Sequence, residues 1–353
     1  MTPMEALPVP AAPDPLPPPV SPAAVAWRRL RGHRMALASL VLLALYALLC
    51  LGAPLLPLHP YAEQVLAHEN LPPSFQPAGI TLLATREAEL RQLLAAEQRP
   101  ASPRERTQLA GLARAVASDP VHRRIYLLGT DALGRDLLSR LLYGGRISIL
   151  IGLLGTVTAM LLGVALGSIA GYAGGLLDTV IMRGVDILFG LPYLLVVIIL
   201  MALFGRSVFN LFFAVALLSW LTLCRVVRGQ VIGLRHAEFV TAARAMGASP
   251  ARIVFRHLTP NTLGVIVVFA TLMVPEFIMA ESFLSFLGLG VSAPLASWGS
   301  LVADGAAVME LYPWQLLGPA VAMTGFLFAM NFLGDGLRDA LDPQSRRGGV
   351  HGR

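Results

Sequence analysis

Three groups of residues have types and spacings that could do chemistry. The first is a pair of carboxylates, Glu276 and Glu281, within an otherwise apolar run over about 262–288. An ionisable group at membrane depth is costly and normally faces a bundle interior or a water-filled path. Five positions at about 100° per residue put the two roughly 140° apart around a helix, so they do not share a face. Both are candidates for a translocation pathway, Glu276 the deeper and Glu281 nearer the outer interface, where a structural hydrogen bond is the alternative role. The second group is the segment from His236 to Asn261, which reads as a short helix, a break and a second helix. Gly247 is a C-terminal stop, Ser249 an N-cap, and Pro250 sits at the first position of the next helix. Ala242, Ala243 and Gly247 are small enough to let another surface approach the backbone, and Arg244 and Arg252 hold the element in water or against an acidic partner. The third group is Asp131, Arg135, Asp136 and Arg140. Asp131–Arg135 and Asp136–Arg140 are acid-first i,i+4 pairs, each worth only ~0.2–0.5 kcal/mol. With Leu133, Leu137, Leu138, Leu141 and Leu142 on one face, they predict an amphipathic helix over 130–143, capped by Thr130 or Asp131 and lying on the outer membrane face.

What the chain lacks excludes other chemistries. All 27 basic residues are arginine. A Walker A loop needs a lysine on the nucleotide phosphates and a pyridoxal enzyme needs one for its Schiff base, so neither can be built. Cys50 and Cys224 lie in apolar stretches without metal-ligand spacing. His236 and Glu238 have no third ligand nearby in sequence. No catalytic, cofactor or metal site is expected, and the chain is not expected to be an enzyme. The net charge of +6 comes from arginines scattered around apolar spans rather than interleaved with aromatics. That pattern fits membrane topology and not nucleic acid.

The elements that must position these groups are helices in a bilayer. Hydrophobic residues make up 56% of the chain and charged ones 14%, against about a quarter charged in soluble domains. Residues 1–34 form a proline-rich cytoplasmic tail, with nine prolines before residue 25, and predict disorder. A first transmembrane helix follows over 35–57, then an extracytoplasmic region over 58–145 with one or two amphipathic helices in 81–118. A transmembrane core spans 146–340, interrupted by the cytoplasmic loop 230–261, and a cytoplasmic tail covers 341–353. Spans at about 35–56, 147–170, 180–204, 208–229, 262–288 and 314–337 are each near the ~20 residues a bilayer core needs, six in all. Pro192 and Pro275 predict kinks in the third and fifth. Asp178, Arg183 and Asp186 are expected to pair locally at the inner start of the third span, and Asp335, Arg338 and Asp339 at the end of the last. With the N-terminus inside, the short inner segments and termini hold fifteen arginines and the short outer loops only Arg206. Both termini are therefore expected in the cytoplasm.

The 238–260 segment resembles the coupling loop, the EAA motif, of permease subunits in ABC importers of the type I fold. Ala242, Ala243, Gly247 and Pro260 match with the right spacing; Thr241 stands at the glutamate position, with Glu238 three residues earlier, and Thr259 replaces the leucine before the proline. Gly129 to Ser148, Glu281 to Gly290, Ser297-Trp298-Gly299 and Gly334 to Pro343 look like segments of dipeptide, oligopeptide and nickel permeases in the same order. The resemblance covers about 128–343 and the branch with one helix before a five-helix core. It implies an all-α permease of a bacterial inner membrane, coupled through Glu238, Thr241, Ala242, Ala243, Arg244, Gly247, Ser249 and Pro260 to an ATPase. Its implied partners are a second permease subunit, two cytoplasmic ATPase subunits, an extracytoplasmic solute-binding protein and membrane lipid. The region over 80–125 is longer than the resemblance predicts and faces the binding-protein side. A secondary transporter would instead show inverted repeats and paired broken helices, and an intramembrane enzyme a metal or nucleophile constellation; neither is found.

Overall fold

The structure, a computed structural model, describes residues 22–341 apart from Arg206. Most of the expected disordered tail and nearly all of the C-terminal tail lie outside the described residues. Helix α1 (Pro22–Gly32) occupies the end of the tail segment, and α2 (Arg34–Leu51) is the first long apolar helix. The segment between α2 and the next long apolar helix, expected from sequence to be the outer region, contains α3 (Ala78–Ala96) and α4 (Pro103–Ser118). The core follows as α5 (Leu137–Ala173), α6 (Gly175–Phe189), α7 (Tyr193–Phe204) and α8 (Val208–Leu234). Next come α9 (Glu238–Ala245), α10 (Pro250–Arg252), a π-helical turn over Ile253–Leu258, and α11 (Thr259–Phe286). Two helices complete it, α12 (Trp298–Ala307) and α13 (Trp314–Leu341). Among the described residues five helices are long and apolar enough to cross a membrane, and α6 with α7, bent by 78°, makes a sixth when the pair is taken as one span. The six expected spans are all present, and the break over 190–192 coincides with the expected Pro192 kink. Pro275, by contrast, stays inside α11.

Hydrocarbon offers helices little reason to associate through apolarity alone, so close backbone packing does much of the work. Gly163, Gly167 and Gly171 recur every four residues on α5 and face the carbonyls of Trp220, Cys224 and Arg228 on α8. A Cβ on them would lie 2.9, 2.5 and 2.8 Å from those oxygens. Further out, Gly152 and Gly155 meet Val274, Ile278 and Phe277 of α11 in the same manner. Helix α2 closes the other side through Tyr46, whose ring packs edge-on to Trp298 and Phe326 and whose hydroxyl donates to the Ala322 carbonyl at 2.9 Å. At one end of the bundle Leu30 and Ala36 pack on Ala340, and Leu341 approaches Gly264, so α1, the end of α13 and the start of α11 share that end.

The local pairing of acids and arginines differs from expectation. Asp178 binds Arg228 through two bonds of 2.6 and 2.7 Å, and Asp186 binds Arg225 at 2.7 Å, so α8 rather than Arg183 supplies both cations. Asp335, Arg338 and Asp339 form no ion pair among the described residues. Residues 130–136 are not helical. Asp131 Oδ1 accepts the Leu133 and Arg135 amides at 2.9 and 3.0 Å, closing a turn in which Gly134 takes φ +68°. Its Oδ2 accepts Arg135 Nε at 2.7 Å and Arg140 Nη1 at 2.6 Å. A buried carboxylate needs several donors, and the turn supplies amides that a helix would already have used. The helix begins instead at Leu137 with Asp136 as its cap, about ten residues before the expected span.

The expected helices of the outer region are present as α3 and α4, joined at a capping box formed by Ser102 and Glu105. Ala78 and Leu82 of α3 pack with Leu71 and Tyr126, and Leu112 and Val116 of α4 lie against them. Beneath them His68, fully buried, holds His122 Nδ1 at 2.8 Å and the Tyr126 hydroxyl at 3.0 Å. Burial first, then the neighbouring His122 and Arg124, push the His68 imidazole down to about 4.

Two outcomes follow. Gly167→Leu forces α5 from α8 and lowers the thermal midpoint of the detergent-solubilised protein, at a cost on the order of 1–3 kcal/mol; an unchanged midpoint would mean that the approach is not tight. The neutral His68 ring stabilises the outer region above its ordinary value of 6.5, and that contribution is lost as pH falls toward about 4. Amide protection in 68–82 and 119–130 should drop by roughly 1–2 kcal/mol between pH 7 and 5, measured by hydrogen exchange; equal protection at both pH values would refute it.

Candidate functional site

The loop between α8 and α10 has the predicted form. Helix α9 ends at Met246–Gly247, where Gly247 takes φ +78° and the Ala248 amide returns to the Ala243 carbonyl at 3.0 Å. A Cβ at Gly247 would touch nothing, so backbone conformation and not crowding calls for glycine there. Ser249 Oγ accepts the Arg252 amide at 3.4 Å and Pro250 takes the first helical position. Pro260 cannot donate into the preceding turn, and the helix widens to π geometry just before it over Ile253–Leu258.

This loop has two faces. Val240, Ala243, Ile253, Val254 and Leu258 are buried in the main core with Val231 of α8 and Ile266 of α11. Glu238, Thr241, Ala242, Arg244, Gly247, Ser249 and Pro260 are exposed. Met246 is 80% exposed and Phe255 55%, so two large apolar side chains stand uncovered on this loop. Arg244 lies 5.8 Å from the centre of the Tyr172 ring. Thr241, at the glutamate position of the motif, only returns its hydroxyl to the Ala237 carbonyl at 3.3 Å. Of the eight loop residues singled out from sequence, Ala243 alone is buried.

The two intramembrane acids are separated, as their spacing predicts. Glu281 is fully buried, and its Oε1 accepts Ser285 Oγ at 2.7 Å and Ser297 Oγ at 2.6 Å. Ser297 caps α12, and the next amide, Trp298, donates to Ser148 Oγ of α5 at 3.0 Å. Glu281 thus ties α5, α11 and α12 together. Glu276 instead lines a cavity of about 360 Å³ between α6, α7, α8 and α11. Its other polar lining is Tyr193, Ser219 and Thr222. Sequence reasoning did not single out those three. The signal that could have found them is Gly190-Leu191-Pro192, a helix-breaking triplet inside an apolar run, whose break opens onto the cavity.

Glu281→Leu leaves the Ser285 and Ser297 hydroxyls without their shared acceptor and should destabilise the protein by on the order of 2–4 kcal/mol. Glu281→Gln, which keeps an acceptor oxygen, should lose less; equal losses, read as thermal midpoints in detergent, would argue against the hydroxyl pair as the cause.

Comparison with known proteins places the arrangement. Residues 163–347 match the family described as the binding-protein-dependent transport system inner membrane component. Residues 21–73 match the N-terminal TM domain of oligopeptide transport permease C. The dipeptide transport system permease protein DppC of Bacillus subtilis is 38% identical over 323 residues, 91% of this chain and 86% of that one. The oligopeptide transport system permease protein OppC of Haemophilus influenzae is 47% identical over 231 residues, 65% of this chain and 74% of its own. The OppC of Salmonella typhimurium is 50% identical over 221 residues, covering 63% and 73%. The one-plus-five helical arrangement, the 238–260 loop and these matches agree, and the chain belongs to the family of binding-protein-dependent inner-membrane transport permeases.

Proposed function

We infer that this chain is one membrane-spanning half of an ATP-driven importer for peptides or similar small solutes, energised through the 238–260 loop. Its partners in this reading are a second permease subunit, two cytoplasmic ATPase subunits and an extracytoplasmic solute-binding protein. The single observation that carries the reading is the two-faced loop. Its buried face is continuous with α8 and α11, and its exposed face presents small residues, Thr241, Ala242 and Gly247, beside the uncovered Met246. A surface of that kind fits a groove on another subunit, and a push on it reaches the membrane helices through Val240, Ala243 and Leu258. With no lysine in the chain, no Walker A loop can be formed here, so ATP hydrolysis falls to the partners.

Topology follows from the same frame. The loop, α1 and the end of α13 share one end of the bundle, and the arginine distribution makes that end cytoplasmic. The outer region, with the α3–α4 hairpin, then meets the binding protein or covers the mouth of the path. Glu276, in its cavity beside the break in the third span, is the pathway residue in this reading. Glu281 holds the scaffold around it.

Ala242→Arg adds bulk and charge to an exposed position and spares the loop's buried base. In the assembled transporter it should cut solute-stimulated ATP hydrolysis and uptake about tenfold or more, while Arg252→Ala at the loop's rim changes both less than about twofold. Full activity of Ala242→Arg, with ATPase subunits still co-purifying, would place the coupling surface elsewhere.

A further inference from the structure

We propose that the cavity between α6, α7, α8 and α11 is a transit site for the cationic group of the solute, with the Glu276 carboxylate as its counter-ion. This rests on the reading that the cavity lies on the solute path. It adds a chemical class to that reading: a molecule bearing an ammonium or guanidinium group beside an apolar body.

The argument is one of charge and enclosure. A cavity of about 360 Å³ lies at the lower end of the ~300–1,000 Å³ typical of small-molecule sites. Among its lining residues Glu276 is the one charged side chain, and it has neither a hydrogen bond nor an ion pair among the described residues. That separates it from Glu281, whose hydroxyl donors are in place, and from Asp131, which holds two arginines. Arg225, one turn along α8 from the lining residues Leu221 and Thr222, is already committed: it binds Asp186 at 2.7 Å, and its guanidinium stacks 4.1 Å from the centre of the Phe189 ring. That pair is neutral in sum. The break between α6 and α7 brings the carbonyl end of one helix and the amide end of the other to the cavity wall, and their opposite partial charges offset. The side-chain carboxylate therefore sets the sign of the field.

Glu276 is exposed to a cavity whose wall is otherwise mostly apolar, and a carboxylate beside low-dielectric walls attracts a cation more strongly than one in bulk water does. The remaining wall suits the same guest. Tyr193, Phe269 and Phe277 line the cavity, and aromatic faces favour a cation at close range. Met273 and Leu218 supply adaptable apolar surface for whatever side chains accompany it. Ser219 already donates its hydroxyl to the Val215 carbonyl, so it offers the guest an acceptor rather than a donor. Among the described residues no basic side chain lines the cavity to favour an anion.

The test reads charge selectivity without relying on the binding protein. Thr222, exposed on the cavity wall, is replaced by cysteine in a Cys50→Ala, Cys224→Ala background of the assembled transporter in proteoliposomes. Ser219→Cys serves as a second reporter should the first fail to assemble. Reaction rates with a cationic ethyl-ammonium and an anionic ethyl-sulfonate methanethiosulfonate are measured with and without ATP, each divided by its rate with a free thiol in solution. The expected result is a cation preference of about tenfold or more that collapses toward unity on Glu276→Gln and persists in Glu276→Asp. A preference unchanged by Glu276→Gln, or none at the start, overturns the cation site while leaving the cavity on the path. Failure of both reagents to reach either cysteine in any nucleotide state overturns the pathway reading as well, and the proposal with it.

Discussion

Helices α5 and α8 approach until three glycines of one lie against three carbonyls of the other, and the rest of the molecule depends on that contact. In hydrocarbon there is little apolar driving force to bring helices together, so van der Waals contact between backbones takes its place. The register is set by matching four-residue repeats, 163–167–171 against 220–224–228. Once α5 is fixed, its outer half offers Gly152 and Gly155 to α11 and its first turn anchors the outer region through Asp136 and Arg140. Once α8 is fixed, its inner end orients the broken span through Arg225 and Arg228. The loop begins where α8 stops.

Two buried acids and a third exposed to a cavity show how a polar group is tolerated in such a frame. Asp131 is surrounded by two amides and two guanidinium groups. Glu281 is met by two hydroxyls and sits where three helices join. Both bind parts of the scaffold together: Asp131 closes a turn and holds the first turn of α5 through Arg140, and Glu281 joins α11 to the cap of α12 through Ser297. Among the described residues Glu276 has no such donors. An acid that the fold itself leaves without a partner is the kind of group a transported molecule can complete.

Much of this was legible in the sequence because the bilayer reads composition and length. Six apolar runs, the turn chemistry of Gly247, Ser249 and Pro250, and the separation of Glu276 from Glu281 all follow from local rules. What failed was local as well. The Asp131–Arg135 spacing suits an i,i+4 helical pair, and both residues do pair, but through a turn that Gly134 permits and that a carboxylate hungry for amides prefers. Arg183 is nearest in sequence to Asp178 and Asp186, yet the cations that bind them come from α8, fifty and thirty-nine residues away. The cavity was invisible because it is assembled from four helices, and only the break at Pro192 carried a trace of it.

The stretch from Pro250 to Phe286 runs as one unbroken helix through its π turn. At ~1.5 Å per residue its 37 residues span about 56 Å, so a tilt of only about 5° about one end sweeps the other through roughly 5 Å. The π turn lies near the inner end of this rod, at the natural fulcrum, and Glu276 rides on the long arm. Mechanically, then, the helix is a displacement amplifier: motions at its base too small to disturb the packing of Ile253 and Leu258 become movements of roughly 3 Å at Glu276 on the cavity wall.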